Sequence, residues 1–258
     1  FYLTCGKCRW CNIDRETLCD NFKGYIGREI DGGYAEYIKL PIKNFIKIPE
    51  SINYKNNLLE TAVVCDAVAT PLKVIKKARI SSFDKVGVIG AGGGLGIHML
   101  KMLKLNNISS IGIDTKTEKF DVCIENGAEF SVSPMENDLN NKIADYTHGN
   151  DLDVVIDFVS SKSSLELGAS ILGKGGRLVT LGGSGEQFLA NSADMLVKEL
   201  ELIGSRYCTK QELKESLDLY ARGLIKPLVS HKTDFNGADD LHNNIETGDI
   251  IGRAGILI

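Results

Sequence analysis

Beyond about Lys85 the chain alternates six short β-branched runs with segments of helical spacing, and few folds accept that order. The runs are Val86-Gly87-Val88-Ile89, Ile111-Gly112-Ile113, Phe130-Ser131-Val132, Val154-Val155-Ile156, Arg177-Leu178-Val179-Thr180-Leu181 and Leu202-Ile203. Between the first two, Ile97, Leu100, Met102 and Leu103 recur at helical intervals. Strands separated by helices pair in parallel, and a parallel sheet must be covered on both faces. The expectation is an α/β fold with a doubly wound parallel sheet of the Rossmann type.

The flanking segments read differently. From Phe1 to about Ala69 the text suggests loops and short strands, with Gly32-Gly33 ahead of the alternating Tyr34-Ala35-Glu36-Tyr37-Ile38 and with Pro41 and Pro49 as breaks. This is expected to be a small β-rich unit. After a helix ending near Gly223, Pro227 opens a stretch through Thr233-Asp234-Phe235 to Ile258 that reads as β and turn and is expected to rejoin the first unit. The division is then residues 1–71, 72–207 and 208–258, in a chain whose 258 residues fit two modest domains or one large one.

The turn after the first run is Val88-Ile89-Gly90-Ala91-Gly92-Gly93-Gly94-Leu95-Gly96. Glycines between a strand and a helix let the backbone approach a pyrophosphate, which sits on the helix N-terminal amides near Gly94 and Leu95. Gly90-x-Gly92 fits the usual spacing, but Gly96 falls one residue late, so the role of each glycine stays open. Asp114 ends the second run, about twenty residues on, where a carboxylate binds both ribose hydroxyls of NAD and repels the extra phosphate of NADP. Lys116 nearby weakens that exclusion. A solvated aspartate at a strand end is the plainer alternative.

Four of the seven cysteines crowd into one early segment as Cys5, Cys8, Cys11 and Cys19, a C-x2-C-x2-C-x7-C spacing. Four thiolates brought together by tight turns close a tetrahedral shell around Zn²⁺, which makes such a zinc structural because no position is left for water. Disulfides, free thiols, an iron–sulfur site or a zinc ribbon share the spacing. The odd cysteine total and uneven placement suit a reducing, cytoplasmic setting. A net charge of −4 with interspersed signs offers no nucleic-acid surface, and no apolar run approaches the roughly 18 residues that span a bilayer. The chain opens on Phe1 without a signal sequence, as a fragment or a processed chain does.

The cysteine spacing followed by Gly32-Gly33-Tyr34-Ala35-Glu36-Tyr37 resembles the structural-zinc lobe of zinc alcohol dehydrogenases in the medium-chain dehydrogenase/reductase superfamily, and the resemblance continues to the C-terminus. Zinc-free quinone reductases of that superfamily lack the lobe. The resemblance implies a GroES-like catalytic domain, incomplete at its N-terminus, beside the Rossmann domain. It implies Zn²⁺ and NAD as cofactors and hydride transfer between NAD and a small-molecule alcohol or carbonyl. The glycine turn is similar to the longer G-x-x-G-G-x-G version found in some of these enzymes. Lys119 occupies the family's lysine position five residues beyond the strand-end aspartate.

In this family a catalytic zinc takes a Cys and a His from an early segment, and none of His98, His148, His231 and His242 precedes the cysteine lobe. The third ligand falls within Val64-Cys65-Asp66-Ala67-Val68-Ala69-Thr70-Pro71. Thiolate chemistry favours Cys65. Register favours Asp66, because the family ligand stands four residues before a threonine near the nicotinamide, here Thr70. Asp-Ala-Val-Ala-Thr-Pro resembles a subgroup with hydroxycyclohexene-carbonyl-CoA dehydrogenases and archaeal alcohol dehydrogenases. A helix-capping aspartate beside a buried thiol is the competing reading. Ile251-Gly252-Arg253-Ala254 resembles the family's final Gly-Arg pair, implying that Arg253 reaches the pyrophosphate; a surface salt bridge is the alternative. The resemblance also implies a homodimer or homotetramer through the cofactor-domain sheet edge. The alternative function is a non-catalytic NAD-binding module.

Overall fold

In the computed structural model, which describes residues 1–258, the early segment carries fewer strands than its pattern suggests. Tyr2 bridges Tyr25 and Ile26 bridges Ile30, and short 3-10 turns at Cys11–Ile13, Glu16–Leu18, Ile42–Asn44 and Tyr54–Asn56 make up the rest. The expected strand over Tyr34–Ile38 is absent. Residues 31–40 make no backbone–backbone hydrogen bond, and Tyr37 is 88% exposed. Alternation makes a strand only where a neighbouring backbone completes the ladder, and none does so here.

A helix then replaces the loops expected before Ala69. Helix α1 (Leu58–Val63) runs into a wider π turn over Val64–Val68 and on into α2 (Ala69–Lys77). Pro71 explains the widening. It has no N–H to give the Ala67 carbonyl, and its ring crowds that group. The amide of Ala69 bonds to Val64 O, five residues back, as well as to Asp66 O, closing the turn that carries Cys65 and Asp66.

The unit Val74–Ser205 is the predicted sheet. Strands β1 (Lys85–Ile89), β2 (Ser109–Ile113), β3 (Ser131–Val132), β4 (Leu152–Asp157), β5 (Leu172–Thr180) and β6 (Glu201–Gly204) are all parallel, in the order β3-β2-β1-β4-β5-β6. All six β-branched runs lie on or overlap these strands. Between them run α3 (Gly96–Leu105), α4 (Phe120–Glu125), α5 (Leu139–Thr147), α6 (Lys162–Ser170) and α7 (Ser192–Lys198). Helix α3 buries Ile97, Met99, Leu100, Met102 and Leu103 completely, so it is apolar nearly all round. Strand order reverses between β1 and β4, and in such sheets ligands bind outside the carboxyl ends of the strands at that point.

The other unit joins Phe1–Lys73 with Arg206–Ile258. Thr209 caps α8 (Lys210–Ala221) in a reciprocal box with Glu212. Next come β7 (Val229–Thr233), α9 (Ala238–Glu246) and β8 (Arg253–Ile256), with β7 and β8 parallel. The segment expected to be β and turn thus holds a helix. A parallel pair requires a crossover, and α9 is a weak one to read, with Leu241 buried and Ile245 exposed among Asp and Asn residues. No helix of the chain is long and apolar enough to cross a membrane.

Candidate functional site: a four-cysteine lobe and a dinucleotide turn

The four lobe cysteines converge. Their sulfurs lie within 4.8 Å of one another, with Cys8 and Cys11 at 3.5 Å and the Cys5–Cys11 and Cys8–Cys19 pairs at 3.9 Å, and none is in a disulfide. Four thiolates about 2.3 Å from a tetrahedral ion stand roughly 3.8 Å apart, so the set fits one Zn²⁺, whereas a cluster of several irons would spread them further. Gly6, at φ +73°, makes the turn that aims the amides of Lys7 and Cys8 at Cys5 Sγ, at 3.4 and 3.3 Å. The Lys7 N–H bond is the main cause that lowers the Cys5 thiol to about 6, and the Cys11 amide lowers Cys8. Burial and the neighbouring Cys8 raise Cys11 to about 12. Trp10 stands within the lobe, with the Arg9 and Arg15 guanidiniums 4.8 and 5.0 Å from its ring.

At the end of β1 the glycine roles resolve. Gly90 adopts φ +75° and turns the chain out of the strand. A Cβ on Gly96 would strike the carbonyls of Gly90 and Ala91, so this late glycine is the one that permits close helix–strand packing. A Cβ on Gly92 would fall inside the Lys119 side chain, which is buried against the turn, and one on Gly93 would press on Gly90 O. The amides of Gly94 and Leu95, ahead of α3, donate to no protein acceptor. They are available to an anion at a helix N-terminus. Asp114 follows β2 and is half-buried. Its Oδ2 accepts the Gly92 N–H at 2.8 Å and its Oδ1 the Lys116 N–H at 3.0 Å. Each carboxylate oxygen has a second lone pair to offer a ribose hydroxyl.

The π turn carries the third group. Thr70, buried, donates its hydroxyl to Asp66 Oδ1 at 3.2 Å, while Arg253 forms an ion pair with Asp66 Oδ2. Asp66 therefore sits inside a continuous helix and caps nothing. The side chains of Arg253 and Asp66 are 30% and 27% exposed, which makes this a half-buried pair, and Arg253 Nε is buried without a partner. Sequence offered no sign that Arg253 meets Asp66, 187 positions away. Cys65 points elsewhere, giving its thiol to Ala62 O at 3.1 Å, and burial, then the Asp66 charge, raises it.

For a catalytic zinc the residues present fall short. The lobe is the one group of three or more ligating side chains in the chain, and none forms around Asp66. His98 is buried in α3 with Nδ1 2.7 Å from Gly94 O, His148 ends α5, His231 pairs with Ser230 on β7, and His242 bonds to Tyr34.

Two family matches cover most of the chain: zinc-binding dehydrogenase over residues 94–222, and the alcohol dehydrogenase GroES-like domain over residues 1–50. An NAD-dependent alcohol dehydrogenase of Sulfurisphaera tokodaii is 28% identical over 253 residues, covering 96% of this chain and 70% of that protein. An alcohol dehydrogenase of Geobacillus stearothermophilus is 28% identical over 257 residues, covering all of this chain and 74% of that one. The crystal structure of the alcohol dehydrogenase from Aeropyrum pernix superposes with a TM-score of 0.91 at 28% identity, over 100% of this chain and 74% of that one. With a zinc-compatible lobe in the GroES-like segment and a dinucleotide turn in a doubly wound sheet, and with half its length matched directly, the chain belongs to the zinc-binding dehydrogenase family.

Proposed function

We propose that this zinc- and NAD-dependent oxidoreductase acts on a small-molecule alcohol or the corresponding carbonyl. One observation carries the reading: the open amides of Gly94 and Leu95 and the carboxylate of Asp114 are fixed on one turn through the Gly92 bond. The turn amides would hold the pyrophosphate and Asp114 the adenosine ribose, with Lys119 packed behind. The unpaired Nε of Arg253 supports a further anion contact from that side chain.

When bound, NAD would supply hydride chemistry, and a zinc with an open position would supply a Lewis acid for an alcohol oxygen. Asp66 would offer that zinc one ligand, ahead of Cys65, because it is Asp66 that stands four residues before Thr70 and accepts its hydroxyl. Alcohol oxidation also releases a proton, and Thr70, whose hydroxyl is held on Asp66, is the residue we assign to pass it on. Cys5, Cys8, Cys11 and Cys19 would hold the structural zinc.

The odd number of cysteines and their concentration in one lobe support a reducing, cytoplasmic setting. Strand β6 is an open sheet edge, and Leu202 on it and Leu196 and Val197 on α7 are 50, 78 and 70% exposed. Such an edge supports assembly as a homodimer or homotetramer. The test of the function is NADH formation from a panel of primary and secondary alcohols by the full-length protein. Zinc and NAD binding without any alcohol-dependent NADH would favour a binding module instead.

A further inference from the structure

The reversal of strand order leaves the turn after β1 facing a second wall, the loop after β4, and that loop is held by a buried carboxylate outside the roles assigned above. Asp157 ends β4 in register with Ile89 of β1 and Thr180 of β5, and is 0% exposed. Its Oδ1 accepts the amides of Val159 and Ser160 at 2.8 and 2.9 Å, and its Oδ2 accepts the Ser164 hydroxyl at 2.7 Å. All three partners are neutral. A fully buried carboxylate is tolerated only where hydrogen bonds satisfy it, so these three contacts hold the loop in one shape.

That geometry reaches two loops. Ser160 is held at φ +55°, a left-handed conformation unusual for serine. Its hydroxyl lies 2.6 Å from Thr180 Oγ1 and accepts the Gly182 amide at 2.9 Å, while its carbonyl accepts the Ser184 hydroxyl at 2.6 Å. A Cβ on Gly182 would fall 2.6 Å from Ser160 Cβ, so glycine is required for the approach. The loop after β4 is thereby bolted to the loop after β5. Its Val159, half-exposed, lies where a Cβ on Gly90 would touch it at 3.1 Å, which makes the bolted pair the opposite wall of the dinucleotide crevice.

We infer that Asp157, acting through Ser160 and Thr180, is a positioning residue that shapes the nicotinamide half of the dinucleotide site. This rests on the assignment of Asp114 to the adenosine ribose. A doubly wound sheet has two mononucleotide-binding halves, and with adenosine over β1–β3 the other nucleotide falls over β4–β6. Loosening the bolt therefore weakens NADH but not a ligand that ends at the second ribose.

The experiment compares NADH and ADP-ribose binding to wild type, Asp157→Ala and Thr180→Val by titration calorimetry on the full-length protein. Thr180→Val keeps the shape and removes only the hydroxyl, so it serves if Asp157→Ala does not fold. Loss of buried hydrogen bonds that order the wall is expected to raise the NADH Kd by about tenfold in Asp157→Ala and about threefold in Thr180→Val. The ADP-ribose Kd should stay within about twofold of wild type, since it lacks the nicotinamide and most of its contacts lie on the other half. Equal losses for both ligands, or an unchanged NADH Kd, would overturn the inference while leaving the dinucleotide assignment intact. Wild-type protein that binds neither ligand would overturn both.

Discussion

The Gly92 amide donates to Asp114 Oδ2 at 2.8 Å, so the carboxylate proposed to select the ribose is braced by the turn proposed to receive the pyrophosphate. Replacing it removes a charge-assisted acceptor and the repulsion of a 2′-phosphate together. Asp114→Gly should weaken NAD by roughly ten- to a hundredfold, since hydrogen bonds to a charged group contribute about 1.5–3 kcal/mol. Parallel titrations of NAD and NADP should show discrimination falling; tighter NADP binding by wild type would reject the role.

Removing one lobe thiolate would open the proposed zinc shell. Cys11→Ser should lose the structural zinc and lower Tm, because metal affinity in such sites is folding free energy. Trp10 is the single tryptophan and sits in the lobe, so its emission should shift toward that of solvated indole on the same change or on chelation. NAD affinity of the surviving protein should stay within about twofold if the dinucleotide turn is intact. Protein purified without chelator and free of zinc would contradict the lobe assignment.

Asp66 and Cys65 are adjacent but differently engaged, which makes them separable. In the full-length protein Asp66→Asn should lose the second zinc and most turnover, and Cys65→Ala should keep both. Zinc per protomer and turnover are the readouts, and the reverse pattern would move the ligand to Cys65.

Alkaline sensitivity should trace in part to Cys123 on α4, a thiol raised from 9.0 to about 11 by burial first and the Asp114 charge second. The folded state holds this proton more tightly than the unfolded chain. Its contribution is therefore complete below pH 9 and is lost as pH rises through about 11. Tm measured across that window should fall less steeply in Cys123→Ala than in wild type; equal slopes would rule out the contribution.

What could be read from the chain differs by interaction range. The sheet was legible because each strand is a dense β-branched run between turns, as in Val86–Ile89, and the lobe because its four ligands lie within fifteen residues. The role of Gly96 was not, since it depends on where the Gly90 and Ala91 carbonyls stand after folding. Tyr34–Ile38 has the period of a strand but no ladder partner, and α9 has few apolar residues to mark it. The π turn follows from how Pro71 is accommodated, and the Asp66–Arg253 pair from tertiary closure, neither of which periodicity encodes. The register of Thr70 with Asp66 was readable because helical spacing joins positions four apart.

Isotope transfer tests the central claim most directly. Full-length protein with zinc is given NAD and an alcohol deuterated at its carbinol carbon, and the NADH formed is examined by mass spectrometry. Direct hydride transfer predicts one deuterium on the nicotinamide ring of each NADH, with none in the NADH made from unlabelled alcohol in deuterated water. NADH without the label, or no alcohol-dependent NADH from protein that holds both zinc and NAD, would contradict the account.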